Sequence, residues 1–191
     1  MQIVLASTSP YRRALLQRLG LTFVCDPPGV DESPQPQEAH AVLAQRLART
    51  KAQAVAARHP HALVIGSDQV AALGTDILGK PGTHEHAVAQ LTAASAHVVN
   101  FYTGLCVLDT GTGRSHEYLD TTRVHFRRLN TGEIESYLKT EQPYNCTGSF
   151  QAEGLGISLF KAVESEDPTA LVGLPLISLC RCLRESGVPV P

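Results

Sequence analysis

The sequence lacks the features of a secreted, membrane-spanning or nucleic-acid-binding protein. Its 191 residues contain no tryptophan, one methionine and 5% aromatic residues, and no run of about 18 apolar residues that could cross a bilayer. The N-terminus does not show the charged-then-apolar order of a secretion signal. The formal net charge is −2 and no segment is rich in lysine and arginine, which disfavours general electrostatic attachment to DNA, RNA or lipid. We therefore expect a cytoplasmic protein without membrane or stable nucleic-acid binding, in which any anionic ligand is small and held in a pocket.

The five cysteines are odd in number and scattered along the chain. Only Cys180 and Cys182 are near neighbours, and their spacing does not match common zinc-binding patterns. Cys146 lies close to candidate site residues, but no histidine stands beside it in the sequence to activate a thiol. We expect reduced cysteines in the core rather than disulfides, metal ligands or a catalytic thiol.

The pattern of apolar residues predicts an α/β fold. A hydrophobic content of 43% in 191 residues allows one substantial core, and the length suits a single large domain or two small lobes that share a cleft. We expect one compact domain over residues 1–191. Strand-like segments alternate with segments of helical periodicity. Prolines interrupt the pattern between residues 26 and 40, where we expect a loop that carries Asp31 and Glu32. The predicted strands are 2–6, 21–25, 62–70, 98–108, 115–128 and 160–164, and the predicted helices are 10–19, 41–58, 83–96, 131–139, with Thr131 as its cap, and 176–186.

The richest local signal is the stretch 5–13, which joins a buried strand to a helix. Ser9 is a good N-cap, and Pro10 suits the first helical position. The first turn of a helix offers unpaired backbone N–H groups, and here the Ser7 hydroxyl and two arginines adjoin them. The combination favours a phosphate-binding helix start, although an ordinary capped helix with surface arginines fits the same residues.

A second signal lies at the end of the predicted central strand. The residues 63–66 are apolar on both faces, and Ser67, Asp68 and Gln69 follow them. Polar groups at the carboxyl end of a central strand commonly face a ligand, so Asp68 is a candidate functional carboxylate. The alternative is that Asp68 forms a turn or a cap.

Charged residues on predicted turns and strand ends form two sets that together suit nucleoside-triphosphate hydrolysis. Such a substrate brings about four negative charges for cations to offset, while carboxylates hold a divalent metal and orient or deprotonate the attacking water. The lysines also fit plain surface residues, because lysine is usually exposed. The cationic set is Arg12, Arg13, Lys51 and Lys80, and the acidic set is Glu32, Asp68 and Glu153.

Eight short motifs follow one another along the chain. They are Leu5-Ala6-Ser7-Thr8-Ser9-Pro10 with Arg12-Arg13, Asp31-Glu32, Lys51, Ser67-Asp68-Gln69-Val70, Gly79-Lys80-Pro81, Phe101-Tyr102-Thr103-Gly104-Leu105, Gly148-Ser149-Phe150 with Glu153-Gly154-Leu155-Gly156, and Asp167-Pro168 with Gly173-Leu174-Pro175-Leu176. In this order, from residue 3 to residue 183, they closely resemble the motifs of the Maf-like nucleotide pyrophosphatases.

The resemblance implies a fold, a reaction and a set of residue roles. The fold would be two α/β lobes around a central, elongated mixed sheet, shared with the inosine-triphosphate pyrophosphatases, with the active site in the cleft between the lobes. The reaction would be hydrolysis of a nucleoside triphosphate to the monophosphate and pyrophosphate, with a divalent cation, Mg²⁺ or Mn²⁺. The matching positions are Asp68 as proton acceptor; Arg12, Gln69 and Glu153 for substrate specificity; Ser7, Arg13, Lys51 and Lys80, with the N-cap Ser9, for phosphate; and Glu32 and Asp68 for the metal.

The motifs also bear on the substrate. The residues 67–69 and 101–105 resemble the branch of the family that acts on 7-methyl-GTP, whereas the branch that prefers dTTP and UTP usually has a threonine after the aspartate. Methylation at N7 makes the purine cationic, so a buried carboxylate at Glu153 would favour it over neutral GTP. A metal-holding role for Glu153 stays open.

Other interpretations of the sequence also stay open. They are a dTTP or UTP pyrophosphatase of the same family, a non-catalytic nucleotide- or nucleic-acid-binding regulator of cell division, a phosphatase that releases single phosphates, and a homodimer.

Overall fold

Strands and helices alternate along most of the chain, as the apolar pattern predicts. The computed structural model describes residues 1–190, and this part of the chain contains seven strands and five α-helices. None of these helices combines the length and apolar character needed to cross a bilayer. The elements are β1 (Gln2–Leu5), α1 (Pro10–Gln17), β2 (Phe23–Cys25), α2 (His40–Ala56), β3 (Ala62–Leu73), β4 (Asp76–Leu78), α3 (His84–Ala94), β5 (Val98–Asp109), β6 (Ser115–Phe126), α4 (Thr131–Glu141), β7 (Phe160–Glu164) and α5 (Leu176–Glu185).

The strands form a mixed sheet in the order β2-β1-β3-β5-β6-β7, and β4 pairs with β3. The strand β1 runs parallel to both β2 and β3, with Ile3 opposite Phe23 and Leu63. The pairs β3–β4 and β6–β7 are antiparallel. The predicted α/β class with a mixed sheet is therefore confirmed.

The chain divides into two compact units. The first comprises residues 1–69, 103–120 and 167–190, and the second comprises 70–102 and 121–166. The prediction of one domain with two lobes stays a prediction.

The first unit has three layers because its central strands are apolar on both faces. Ile3 and Leu5 point to a cluster that also contains Leu16 of α1 and Leu179 of α5. The residue between them, Val4, points to the opposite cluster, where α2 packs. This alternation repeats along β3 and β5, and it places α1 and α5 on one face of the sheet and α2 on the other.

The second unit packs around aromatic side chains. The ring of Phe150 makes edge-to-face contacts with the rings of Phe101, Phe126 and Phe160, at centroid distances of 4.8 to 5.6 Å. Helices α3 and α4 pack against each other in this unit.

The strand β3 is longer than predicted, and this changes the setting of Asp68. The prediction ended the strand at Val70, with Asp68 at its carboxyl end. In the structure β3 continues to Leu73 and pairs with β4 across a two-residue connection that begins at Gly74, where φ is +61°. Asp68 is therefore an interior strand residue and is buried. The sequence carried a signal for this hairpin, because glycine at the start of a two-residue loop is typical of tight turns.

Two smaller predictions are also wrong. The cap of α4 is Asn130 rather than Thr131, and it forms a capping box in which its side chain accepts from the Glu133 N–H and its own N–H donates to the Glu133 carboxylate. Cys25 is exposed rather than in the core. Cys106 and Cys182 are buried, and Cys146 and Cys180 are half-buried.

Candidate active site

Lys51 lies at the centre of a group of charges in the first unit. Its side chain, on α2, is only 6% exposed, and its Nζ donates to the Asp68 carboxylate and lies 2.6 Å from Oε1 of Glu32. A buried ammonium group without a partner would be strongly destabilising, and the two carboxylates compensate its desolvation. The side chain of Asp68 is 9% exposed and that of Glu32 is 59% exposed. The structure thus brings together three of the predicted site residues, one of which reaches solvent.

Two glycines let α2 come close enough for the contact between Lys51 and Asp68. A Cβ on Gly66, in β3, would lie 2.8 Å from the backbone nitrogen of Ala52 and closer still to the carbonyl oxygen of Ala48. A Cβ on Gly104, in β5, would lie 2.8 Å from the carbonyl carbon of Ala44. Real Cβ atoms do not approach backbone this closely, so these positions admit glycine only.

The loop between β2 and α2, residues 26–39, is held by three ion pairs, two to side chains of α2 and one to Arg58 just beyond its C-terminal end, and we call it the acidic strap. Its carboxylates meet their basic partners in reverse chain order, so the strap runs antiparallel to α2. Hydrogen bonds from the basic side chains lower the pKa of Asp26 and that of Glu38 to about 2. The pairs are Asp26 with Arg58 at 2.7 Å, Glu32 with Lys51 at 2.6 Å, and Glu38 with Arg46 at 2.6 Å.

Arg46 also fixes the strap next to Glu32. Its Nη2 donates to the carbonyl oxygen of Ser33 at 3.0 Å, while its Nε and Nη2 donate to the two oxygens of Glu38. Bidentate contacts of this kind constrain geometry as well as charge. Glu32 therefore meets Lys51 from a loop that is held on both sides.

The start of α1 is built as the sequence predicts. Ser9 is the N-cap, with its hydroxyl accepting from the N–H of Arg12, and Pro10 occupies the first turn. The buried Ser7 hydroxyl accepts from the N–H of Ser9 at 3.1 Å. These bonds order the chain at the helix start, where an anion is favoured.

Arg12 offers uncommitted donors near the carboxylates. Its Nε donates to the carbonyl oxygen of Gly173 at 2.8 Å, and its two terminal NH₂ groups make no hydrogen bond to any residue between 1 and 190. Burial lowers the pKa of the guanidinium, while the negative charges of Asp68 and Glu32 act in the opposite direction. A partly buried guanidinium with free terminal donors is suited to bind an anionic oxygen.

Gln69 is tied to a backbone turn. Its Nε2 donates to the carbonyl oxygens of Ala170 and Leu171, at 2.9 and 3.0 Å, and to the Thr103 hydroxyl at 3.1 Å. The turn Ala170–Val172 leads directly to Gly173, the residue that contacts Arg12.

The other predicted residues are exposed. Arg13 is exposed on α1. Lys80 and Glu153 belong to the second unit, where both are exposed, so the expectation of a buried carboxylate at Glu153 is wrong. Glu153 is the middle residue of the turn 152–154 and lies between the small residues Ala152 and Gly154. The phosphate role of Lys80 and the specificity role of Glu153 stay predictions.

Glu32 and Asp68 are the carboxylates of this group that could hold a divalent cation together with other ligands. No cluster of three or more histidine, cysteine or carboxylate side chains suited to a metal occurs within residues 1–190. Mg²⁺ is commonly held by one or two carboxylates together with substrate phosphates and water, and the two carboxylates around Lys51 meet that requirement. Bound there, the metal would supply charge neutralisation at the phosphates.

The family described as Maf-like protein matches residues 2–186 of the chain. The chain belongs to the Maf-like protein family. The resemblance inferred from the eight motifs is thus confirmed.

Curated relatives of this Maf-like protein share about half of its residues. A protein named 7-methyl-GTP pyrophosphatase from Nitrosococcus oceani is 55% identical over 98% of this chain and 94% of its own length. Proteins of the same name from Alcanivorax borkumensis and Pseudomonas syringae are each 53% identical over 99% of this chain and 96% and 98% of their own lengths.

One solved structure shares the fold at low sequence identity. The structure of a HAM1 protein from Coxiella burnetii matches the Maf-like chain with a TM-score of 0.52 and 13% identity, over 97% of this chain and 99% of that chain. This likeness supports the fold assignment alone.

Sequence reasoning missed several residues that organise the Maf-like site. Ser67, Thr103 and Gly173 occur in the motifs, but no role followed from their sequence context. Ser67 and Thr103 donate to carbonyl oxygens of the segment 167–173, to which Gly173 belongs, and only the folded chain brings that segment beside β3 and β5. No role for Arg46 followed from the sequence either, and the available signal was the acidic residue Glu38 in a proline-rich loop.

Proposed function

We propose that this Maf-like protein is a nucleotide pyrophosphatase that hydrolyses 7-methyl-GTP to 7-methyl-GMP and pyrophosphate. The observation that carries the proposal is the cluster of Lys51, Asp68 and Glu32. The guanidinium of Arg12 interacts electrostatically with both carboxylates of this cluster. It occurs in a chain 53–55% identical over nearly its whole length to proteins named for this activity.

The net charge of the cluster favours a triphosphate substrate that binds together with a metal cation. Two positive groups, Arg12 and Lys51, stand with two negative groups, Asp68 and Glu32, so these four side chains bring no net charge. A nucleoside triphosphate brings about four negative charges, which such a cluster cannot offset. A divalent metal on the carboxylates would supply two of the missing positive charges, and Arg13 and Lys80 are candidates for the other two.

The proposed chemistry balances with Asp68 as the proton acceptor. A water oxygen forms a bond to the α-phosphorus, and the bond from that phosphorus to the oxygen bridging to the β-phosphorus breaks. Pyrophosphate leaves with the electron pair of that bond. Asp68 takes the proton of the water, and its contact with Lys51 holds the carboxylate in one orientation. The free NH₂ groups of Arg12 donate to phosphate oxygens, where charge develops.

The preference for the methylated base is the finer part of the proposal. The names of the relatives support it, as do the residues Ser67-Asp68-Gln69. The N7-methylated purine carries a positive charge that neutral GTP lacks, so a carboxylate beside the base would bind it more strongly. Glu153 is our candidate, since it is exposed and its negative charge is available to a ligand.

The test replaces the proposed proton acceptor and measures turnover and binding separately. We expect Asp68→Asn to lower kcat for 7-methyl-GTP by at least about 100-fold, the scale of general-base catalysis, because the amide cannot accept the proton. We expect the Kd for a nonhydrolysable analogue to change far less than kcat, since Lys51 keeps Glu32 as a partner and the asparagine amide keeps one oxygen for the metal.

Asp76→Asn is the matched control. It makes the same change at an exposed position of β4, and it should leave both kcat and Kd unaltered. Full turnover by Asp68→Asn, measured with Mg²⁺ and with Mn²⁺, would contradict the proposed role of this carboxylate.

A further inference from the structure

We propose that Gln69 is a positioning residue that acts through Arg12: its amide hydrogens hold the turn 170–173, and the carbonyl of Gly173 orients the Arg12 guanidinium. This inference rests on the proposed pyrophosphatase function. It gives a physical connection between two positions that the family resemblance implies are specificity determinants.

The orientation of the Gln69 amide is fixed by its surroundings. Three oxygens lie within hydrogen-bond distance of Nε2, and two of them, the carbonyls of Ala170 and Leu171, can only accept. The third is the hydroxyl of Thr103, which donates its own hydrogen to Ala170 at 3.0 Å and so presents a lone pair to Gln69. Rotating the amide by 180° would place an oxygen against three acceptors. The nitrogen of Gln69 is therefore directed at the turn.

The turn 170–173 places one carbonyl oxygen, that of Gly173, beside Arg12. Gly173 ends the turn with φ at +117°, a conformation that side-chain-bearing residues rarely adopt. Its carbonyl oxygen accepts from Nε of Arg12 at 2.8 Å and from the buried Ser67 hydroxyl at 3.0 Å. Because β3 supplies both Ser67 and Gln69, one strand holds the turn at two points.

The far side of the turn is fixed independently. The Asp167 carboxylate accepts from the backbone N–H of Ile177 at 2.6 Å, and the Thr169 hydroxyl accepts from that of Leu176 at 2.8 Å. The turn is therefore anchored at one end to the start of α5 and at the other to β3, where Gln69 and Ser67 attach it.

The consequence for Arg12 is orientation without loss of its binding groups. Only Nε is used by Gly173, and the two terminal NH₂ groups remain uncommitted within residues 1–190. A guanidinium held at Nε presents its terminal nitrogens in one plane, which suits bidentate contact with an anion. If the turn shifts, the Arg12 guanidinium loses this fixed orientation. Gln69 then alters substrate binding through Arg12, without contacting the substrate itself.

The substitution Gln69→Glu separates this role from direct reading of the base. Glutamate has the same shape but no amide hydrogens, so its carboxylate would face two carbonyl oxygens and repel the turn. If instead the oxygen of Gln69 accepted a hydrogen bond from the cationic base, glutamate would keep or strengthen that bond. The two roles therefore predict opposite results.

The experiment measures kcat and KM for 7-methyl-GTP in a double-mutant cycle. We expect Gln69→Glu and Gln69→Leu each to lower kcat/KM by about tenfold or more, as expected for the loss of an oriented charged contact. In an Arg12→Gln background we expect either change to cost less than about threefold, because the route through Arg12 is already broken. Equal or improved kcat/KM in Gln69→Glu, or additive losses in the cycle, would overturn the inference.

Two substitutions at Thr103 test the hydrogen bonds that hold the Gln69 amide while leaving Gln69 itself unchanged. Thr103→Ser keeps the hydroxyl and should retain near-normal kcat/KM, whereas Thr103→Val removes it and should shift kcat/KM in the direction of the Gln69 variants. Thermal unfolding of each variant identifies any that fail to fold, and a fall in kcat/KM that tracks the unfolding midpoint equally in the serine and valine variants would count against the inference.

Measuring Kd in the same double-mutant cycle distinguishes failure of the pyrophosphatase proposal from failure of the proposed coupling between Gln69 and Arg12. Binding of a nonhydrolysable 7-methyl-GTP analogue, with no turnover of the substrate by the unsubstituted protein, would refute the pyrophosphatase proposal, and the coupling of Gln69 to Arg12 would still be read from Kd. Turnover with additive effects in both measurements would refute the coupling alone.

Discussion

Gly66→Ala is the substitution that most directly tests how the fold builds the site. Gly66 lies under α2, and the added methyl group would lie 2.9 Å from the Cβ of Ala52 and 2.8 Å from its backbone nitrogen. Carbon atoms pack at about 3.5 to 4.0 Å, so α2 must move outward by roughly 1 Å or the strand must bend. Either movement separates Lys51 from Asp68.

The size of the effect follows from the clash. Overpacking a core typically costs about 1–3 kcal/mol, and a clash with helix backbone belongs at the upper end of that range. At about 2–4 °C per kcal/mol for a protein of this size, the unfolding midpoint should fall by roughly 6–12 °C. A displacement of about 1 Å in a catalytic group can cost on the order of 100-fold in rate, so kcat/KM should fall well beyond the loss of folded protein.

The assay combines thermal unfolding with kcat/KM at a temperature where the variant is folded. Gly104→Ala should behave similarly, because its Cβ would also meet the backbone of α2. Gly79→Ala is the control: its Cβ would have no heavy atom within 4 Å, and its midpoint should change by less than about 2 °C. A Gly66→Ala protein with normal stability and normal kcat/KM would refute the reasoning that this glycine sets the distance between Lys51 and Asp68.

Two further predictions concern charge. The carboxylates of Asp26 and Glu38 have folded-state pKa values of about 2, below their ordinary values of 3.8 and 4.5, so they stabilise the fold above those ordinary values. The unfolding midpoint should therefore fall as the pH drops from about 4.5 towards 2, and the double variant Asp26→Asn, Glu38→Gln should show a flatter decline. An identical acid profile in that variant would count against the acidic strap as a source of stability. Separately, Glu153→Gln should reduce the ratio of kcat/KM for 7-methyl-GTP over GTP by roughly tenfold, about 1.4 kcal/mol, and an unchanged ratio would remove Glu153 from base recognition.

Local chemistry made the helix start at Ser9 predictable from sequence. An N-cap serine, a proline in the first turn and an apolar stripe act within a few residues, so the structure reproduces them with small shifts of boundary. The apolar run 63–66 likewise identified a strand buried on both faces.

Partnerships across the sheet were beyond local reasoning. Lys51 and Asp68 are 17 residues apart, and their contact depends on the absence of a side chain at Gly66, which the sequence shows only as one more glycine in a strand. The link from Gln69 to Ala170 spans 101 residues, and no periodicity or capping rule connects them. The motifs indicated which residues mattered, while the folded chain shows what each one touches.

Product analysis of 7-methyl-GTP turnover tests the central claim most directly. With purified protein and Mg²⁺ or Mn²⁺, phosphorus NMR should show one pyrophosphate formed for each 7-methyl-GMP, and no orthophosphate. Formation of orthophosphate with 7-methyl-GDP, or binding of the nucleotide without any product, would contradict the account.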